Sequence, residues 1–249
     1  MLGTMIDLLF FGFDTAVYKF IWWFQNGFTI AIANFCQYTG DSLGYTLYGV
    51  ISLLLCFPKK TRKYGVAMIV AFIVGLVSME AVKFAVGRDR PYVTLQNTPF
   101  WDTYNAHWTK AGGFLENDPA FPSGHTSVNF LIFTALAAVL LKEKKKWAWA
   151  LFIIPVIVGC SRIIRCVHYP SDVVAGMVIG IASGLVGYMV TRHFFYRSKE
   201  NKIADKIGTV AQLQSYTGGK SNEQNEKISS STGVRNDNDS NSTLLGIRT

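Results

Sequence analysis

Long apolar blocks, each closed by charge, glycine or proline, dictate what this chain can fold into. Five read clearly, at residues 41–57, 64–85, 124–141, 147–163 and 172–193. A bilayer core takes roughly 17–25 apolar residues as one helix, because a spanning segment must satisfy every backbone N–H and C=O within itself. The blocks have that length and lack the one-sided periodicity of a helix on a soluble core. Half of the 249 residues are hydrophobic. The expected class is all-α, a polytopic membrane helix bundle. Residues 5–36 are also apolar and rich in Phe and Trp, but Asp7, Asp14, Lys19, Gln25 and Asn26 interrupt them. They form either a sixth span near 5–24, giving about six membrane helices, or one or two helices lying in the interface.

Three regions follow: an apolar N-terminal part at 1–40, a membrane core at 41–198 with a loop at 86–122, and a tail at 199–249. The tail is polar and too poor in apolar residues to offset the entropy of ordering, so disorder is expected there. The N-terminus has no basic region ahead of its apolar stretch, so no cleavable leader is expected. The four cysteines, Cys36, Cys56, Cys160 and Cys166, lie in or beside apolar runs without metal-ligand spacing and read as free, packed thiols.

The net charge of +8 is not a nucleic-acid signal, since no binding motif accompanies it. The basic residues collect in "PKKTRK" (58–63), "KEKKK" (142–146) and "RHFFYRSK" (192–199). Positive charge beside membrane spans sets orientation. With all three stretches cytoplasmic, the spans alternate consistently, the tail is cytoplasmic, and loop 86–122 and segment 164–171 face outward.

That topology gathers three polar clusters at one membrane face: "KFAVGRDRP" (83–91), "PSGH" (122–125) and "SRIIRCVHYPSD" (161–172). They supply Lys83, Arg90 and Arg162, with Arg88 and Arg165 close by. Arginine forks match phosphate oxygens and lysine adds a point charge. Pro122 and Ser123 suit a helix start, and Gly124 lets backbone N–H groups approach an anion. His125 and His168, two of four histidines in the chain, fall inside clusters. Pro170 at a first helical position would place Asp172 in the first turn, where its carboxylate can accept a ring N–H of His168 and free the other nitrogen to attack. His125 would then serve the leaving oxygen as general acid.

Plainer readings apply elsewhere. Lys110 and Arg192 read as interface anchors, and His107 and His193 as structural histidines. Arg88 and Arg165 fit lipid-headgroup anchors as well as ligands. Tyr92, Trp101, Tyr104, Trp108 and Phe114 read as an interfacial aromatic belt.

At these residues the chain resembles the type 2 phosphatidic acid phosphatase family, which shares its fold with vanadium haloperoxidases. The family's motifs are Lys, six residues, Arg-Pro; Pro-Ser-Gly-His; and Ser-Arg, five residues, His, three residues, Asp. Here they read Lys83 with Arg90-Pro91, Pro122-Ser123-Gly124-His125, and Ser161-Arg162 with His168 and Asp172. The resemblance covers roughly residues 40–195. It implies metal-independent hydrolysis of a lipid phosphate ester, with no cofactor. The substrate would be phosphatidic acid, phosphatidylglycerol phosphate or a polyprenyl diphosphate such as undecaprenyl diphosphate. By position it implies that His168 is the nucleophile forming a phosphohistidine, Asp172 its orienter and His125 the acid. Lys83, Arg90, Ser123, Gly124 and Arg162 would form the phosphate pocket. A lipid phosphotransferase using the same intermediate and a non-catalytic lipid-phosphate-binding membrane protein are the alternatives.

Single cysteines placed at Lys83 and at His168 are expected to react with a membrane-impermeant maleimide from the same side, opposite to one placed at Lys144. Labelling of intact cells before and after permeabilisation checks this.

Overall fold

A computed structural model describes residues 2–197, together with Ile207 and Thr209. The tail expected to be disordered therefore lies outside the described residues. All regular elements among the described residues are helical: α1 (Leu2–Trp22), α2 (Gly27–Gln37), α3 (Ser42–Cys56), α4 (Arg62–Val86), α5 (Pro91–Thr94), α6 (Trp101–Lys110), α7 (Gly124–Lys142), α8 (Ile153–Ile164) and α9 (Pro170–Phe195), with short 3₁₀ turns before α6 and α8.

Four of the described segments are long and apolar enough to cross a membrane: the one opening with α4, α7, the 3₁₀ turn running into α8, and α9. They coincide with four of the five expected blocks. α3 occupies the fifth block but has 15 residues, near 22 Å at 1.5 Å per residue. The chain is a multi-pass membrane protein.

α7 is the central helix, buried along most of its length, and α9 and α4 pack on it. No hydrophobic effect drives helices together in lipid, so association relies on close backbone approach through small residues. α9 provides Gly176, Gly180 and Gly184 at four-residue spacing. A Cβ on Gly176 or Gly180 would stand 2.6 or 2.5 Å from the Ser123 or Ser127 carbonyl oxygen of the same α7 face. This contact places the N-termini of α7 and α9 side by side. The Ser123 N–H donates to the Asp172 carbonyl oxygen at 3.0 Å.

α1 packs against one end of the bundle. Gly3 lies against the Arg88 backbone, Asp7 and Asp14 reach the Arg88 guanidinium at 2.8 and 3.0 Å, the Tyr18 hydroxyl donates to the His168 carbonyl at 2.6 Å, and Trp22 stacks on His107 at 4.3 Å. Every one of these partners sits at the end of the bundle where α4 and α8 stop and α9 begins. A 21-residue helix, about 31 Å long, touches that one end with both of its termini, so it lies across the bundle rather than along it. Its other face carries exposed Leu8, Leu9, Phe13 and Phe20.

The expected aromatic belt is corrected here. Tyr92, Tyr104, Trp101 and Trp108 pack with Tyr18 and Trp22 into one cluster that joins the 86–122 segment to α1. Tyr92 and Trp108 stack at 5.3 Å, Tyr18 and Trp22 at 4.8 Å. The rings hold protein to protein instead of standing singly at a lipid boundary.

Gly180→Val forces a branched side chain into the α7 carbonyls and is expected to cost at least about 1–3 kcal/mol. Gly49→Val, at a position with nothing within 4 Å of a new Cβ, is expected to be nearly neutral. Thermal unfolding of both variants in detergent makes the comparison.

Candidate active site

The site is built where three helix ends meet. α4 ends at Gly87, whose left-handed φ of 56° turns the chain at little cost for glycine and sends Arg88 and Arg90 inward. Ser123 caps α7 in an extended conformation with Gly124 at the first helical position. Tyr169 caps α9, Pro170 follows at the first position, and Asp172 Oδ2 accepts a hydrogen bond from the Tyr169 N–H at 2.9 Å. The expected placement of Asp172 in the first turn is observed.

A cavity of about 300 Å³ opens between these ends, lined by Gln37, Gly40, Asp41, Tyr45, Lys83, Arg90, Glu116, Asn117, Asp118, Gly124, His125 and His168. Five of the eight expected site residues thus line one cavity: Lys83, Arg90, Gly124, His125 and His168. The other three are fully buried beside it. Ser123 Oγ accepts from Thr126 Oγ1 at 3.0 Å, Arg162 reaches Gln37 Oε1 and Glu116, and Asp172 contacts Arg88. Arg162 Nε is buried without a hydrogen-bond partner, a donor still available to a ligand.

His168 is held at both nitrogens. Nδ1 lies 2.8 Å from the Ala120 carbonyl oxygen, which can only accept, and Nε2 lies 3.0 Å from Arg90 Nη1, which can only donate. These partners assign the Nδ1–H tautomer with a lone pair on Nε2. Asp172 Oδ2 is 3.5 Å from Nδ1, so the expected Asp172–His168 hydrogen bond gives way to the Ala120 carbonyl. Asp172 is instead claimed by Arg88 Nη1 at 2.5 Å and by the Tyr169 N–H. Burial first, then the charges of Arg90 and Arg162, hold the His168 pKa well below the usual histidine value. The ring is neutral at neutral pH.

His125 presents Nε2 to the Gln37 carbonyl at 2.9 Å and to Asp41 Oδ1 at 3.3 Å. Its ring fits against Gly40, where a Cβ would overlap it. Arg88, expected as a headgroup anchor or ligand, is neither: it is fully enclosed by Asp7, Asp14, Asp172 and Ser171, with the Tyr169 ring 3.7 Å from its guanidinium carbon. Arg165 donates to Asn34 and covers the Phe114 ring. Gln37, Asp41, Glu116 and Asp118 escaped the sequence reading. The acidic pair four and six residues ahead of Pro122, on the same face as the cations, was the available signal.

One cavity at the end of a polytopic helix bundle thus brings together Lys83, Arg90, two imidazoles and the acids Asp41, Glu116 and Asp118. The chain belongs to the PAP2 superfamily, which it matches over residues 60–196. It is 30% identical over 174 residues to an undecaprenyl-diphosphatase of Sulfolobus acidocaldarius, covering 68% of this chain and 74% of that protein. It is 31% identical over 141 residues to the bacitracin transport permease protein BcrC of Bacillus licheniformis, covering 55% of this chain and 60% of that one. The fold is similar to the crystal structure of a transmembrane PAP2 type phosphatidylglycerolphosphate phosphatase from Bacillus subtilis, with a TM-score of 0.60 at 21% identity over 79% of this chain and 93% of the other.

In protein carrying ¹⁵N-labelled histidine, His168 is expected to keep the neutral Nδ1–H pattern at about pH 6, where an unperturbed histidine is mostly protonated. Since the unfolded chain binds the extra proton first, this group makes the fold less stable as pH falls below the ordinary value of 6.5.

Proposed function

We propose that the chain is a membrane lipid phosphatase that hydrolyses a lipid phosphomonoester or a polyprenyl diphosphate through a phosphohistidine. The observation that carries this reading is His168: it lines the cavity that Lys83 and Arg90 also line, with Nε2 unprotonated and accepting from Arg90 Nη1 at 3.0 Å. A nucleophile in the attacking protonation state, beside the cations that would bind its target, is the arrangement phosphoryl transfer needs.

Lys83, Arg90, Arg162, Ser123 and the Gly124 N–H hold the phosphoryl oxygens and stabilise charge on them during transfer. His168 Nε2 attacks phosphorus in line with the leaving oxygen. The Ala120 carbonyl keeps the proton on Nδ1, and the Asp172 carboxylate, 3.5 Å away, stabilises the positive ring that results. His125 protonates the leaving oxygen, then takes a proton from the water that releases phosphate from His168. The site faces outward and the tail lies in the cytoplasm, by the distribution of lysine and arginine. The lipid tails remain in the bilayer and the headgroup alone enters the cavity.

Purified protein in detergent is expected to release phosphate from at least one of phosphatidic acid, phosphatidylglycerol phosphate and undecaprenyl diphosphate, equally well with excess chelator. Vanadate should inhibit it. His168→Ala should lower release by at least about 10³-fold; wild-type release by that variant overturns the reading. His125→Ala should lose about 10²–10⁴-fold on the lipid and much less on a nitrophenyl phosphate, whose leaving group needs no proton.

A further inference from the structure

The cations of the cavity already have partners. Asp118 pairs with Lys83 and, at 2.6 Å, with Arg90. Glu116 pairs with Arg90 at 2.7 Å and with Arg162. Two carboxylates, two residues apart on the segment between α6 and α7, therefore occupy every cation assigned to the phosphate. Burial pushes the Glu116 carboxyl up, but Arg162 and Arg90 outweigh it and hold the pKa below the usual range; Lys83 and Arg90 do the same for Asp118. Both are charged at neutral pH.

The two sides of these pairs differ in freedom. The Arg162 and Arg90 side chains are 0% and 4% exposed, whereas the Glu116 and Asp118 side chains are 17% and 51% exposed. An arriving anion would displace the carboxylates, the half-exposed Asp118 most readily, and leave the more deeply buried arginines in place.

Charge then decides which anion succeeds. Lys83, Arg90 and Arg162 against Glu116 and Asp118 leave one net positive charge, and Asp41 on the same cavity balances it. A phosphodiester carries a single negative charge per phosphate, while a phosphomonoester carries about −1.5 to −2 at pH 7. The tethered carboxylates compete at an effective concentration of the order of millimolar or more. One phosphodiester charge cannot replace two carboxylates on three cations. Phosphodiester headgroups are the commonest anions at a bilayer surface, and a bare tricationic seat would fill with them.

We propose that Glu116 and Asp118 are specificity-determining residues. They act as a tethered competitor that keeps singly charged phosphodiester headgroups out of the cavity and yields to a phosphoryl group carrying about two charges. This rests on the cavity being the phosphate seat, though not on its turning substrate over.

The test is calorimetric titration of the full chain in detergent with inorganic phosphate and with dimethyl phosphate at about pH 8. Wild type should prefer phosphate by at least about tenfold. Glu116→Gln, and Glu116→Gln combined with Asp118→Asn, should raise dimethyl phosphate affinity by about tenfold or more and shrink the preference. Asp118→Asn alone, at a half-exposed side chain, should move the ratio in the same direction and keeps the test intact if Glu116→Gln fails to fold. A wild type without preference, an unchanged ratio, or equal gains for both anions overturns the proposal. A lipid arm separates headgroups from free phosphate: phosphate release from a lipid phosphomonoester should become sensitive to added phosphatidylglycerol in Glu116→Gln but not in wild type. If no lipid phosphate is hydrolysed while the titration ratios shift as stated, the hydrolytic reading fails and the specificity role stands.

Discussion

Arg88 has no contact with water and four polar partners on two helices: Asp7 and Asp14 from α1, and Ser171 and Asp172 from α9. An ion removed from water costs several kcal/mol unless carboxylates surround it, and breaking one such buried pair costs about 3–5 kcal/mol. The position of α1 follows from this. Its two carboxylates are spaced seven residues apart, two turns on one helical face, and both must reach a guanidinium fixed just beyond the end of α4. That requirement draws an apolar helix across the end of the bundle and leaves its exposed apolar residues on the opposite side. It also fixes Asp172, since the carboxylate that meets Arg88 at 2.5 Å also caps α9 through the Tyr169 N–H.

The cavity beside this buried cluster obeys the same electrostatics with a weaker hold. Arg162 and Arg90 are nearly as buried as Arg88, so an empty seat would leave them without counter-charge in a low dielectric. Glu116 and Asp118 remove that cost while the site waits. They come from a connecting segment rather than a helix, and one of them is half exposed, so their contacts can be exchanged. Arg88 is therefore permanent architecture, whereas Arg90, Arg162 and Lys83 are held in a replaceable way. The α7–α9 contact through Gly176 and Gly180 keeps these two systems in register, because it sets the separation of the Ser123 and Tyr169 caps.

Much of this was legible in the sequence. Block lengths gave the spanning helices, and lysine and arginine placement put Lys83, Ser123, His125, His168 and Asp172 at one end, where they do meet. Pro170 marked the start of α9 and the register of Asp172. What escaped notice were pairings over long separations with no local signature. Asp7 and Asp14 look like interruptions of a span until Arg88 is seen 74 residues or more away. Glu116 and Asp118 look like ordinary loop acids until the cations surround them. The Ala120 carbonyl could not be found from side-chain identity at all, because the group that acts is backbone.

That carbonyl changes how His168 is best understood. A carboxylate bonded directly to Nδ1 would raise the basicity of the ring, and the imidazolium would compete with the attacking form. Here a neutral carbonyl holds the proton at 2.8 Å and the charge of Asp172 stays at 3.5 Å, shared with Arg88. The ring remains unprotonated among Arg90 and Arg162, as the proposed attack requires. In the proposed reaction, charge appears on the imidazole only when Nε2 bonds to phosphorus, and the field of Asp172 then favours it. On the proposed reading, Arg88 sets how much of the Asp172 charge His168 feels, which connects the docking of α1 to the reactivity of a residue whose backbone carbonyl accepts from the Tyr18 hydroxyl of that helix.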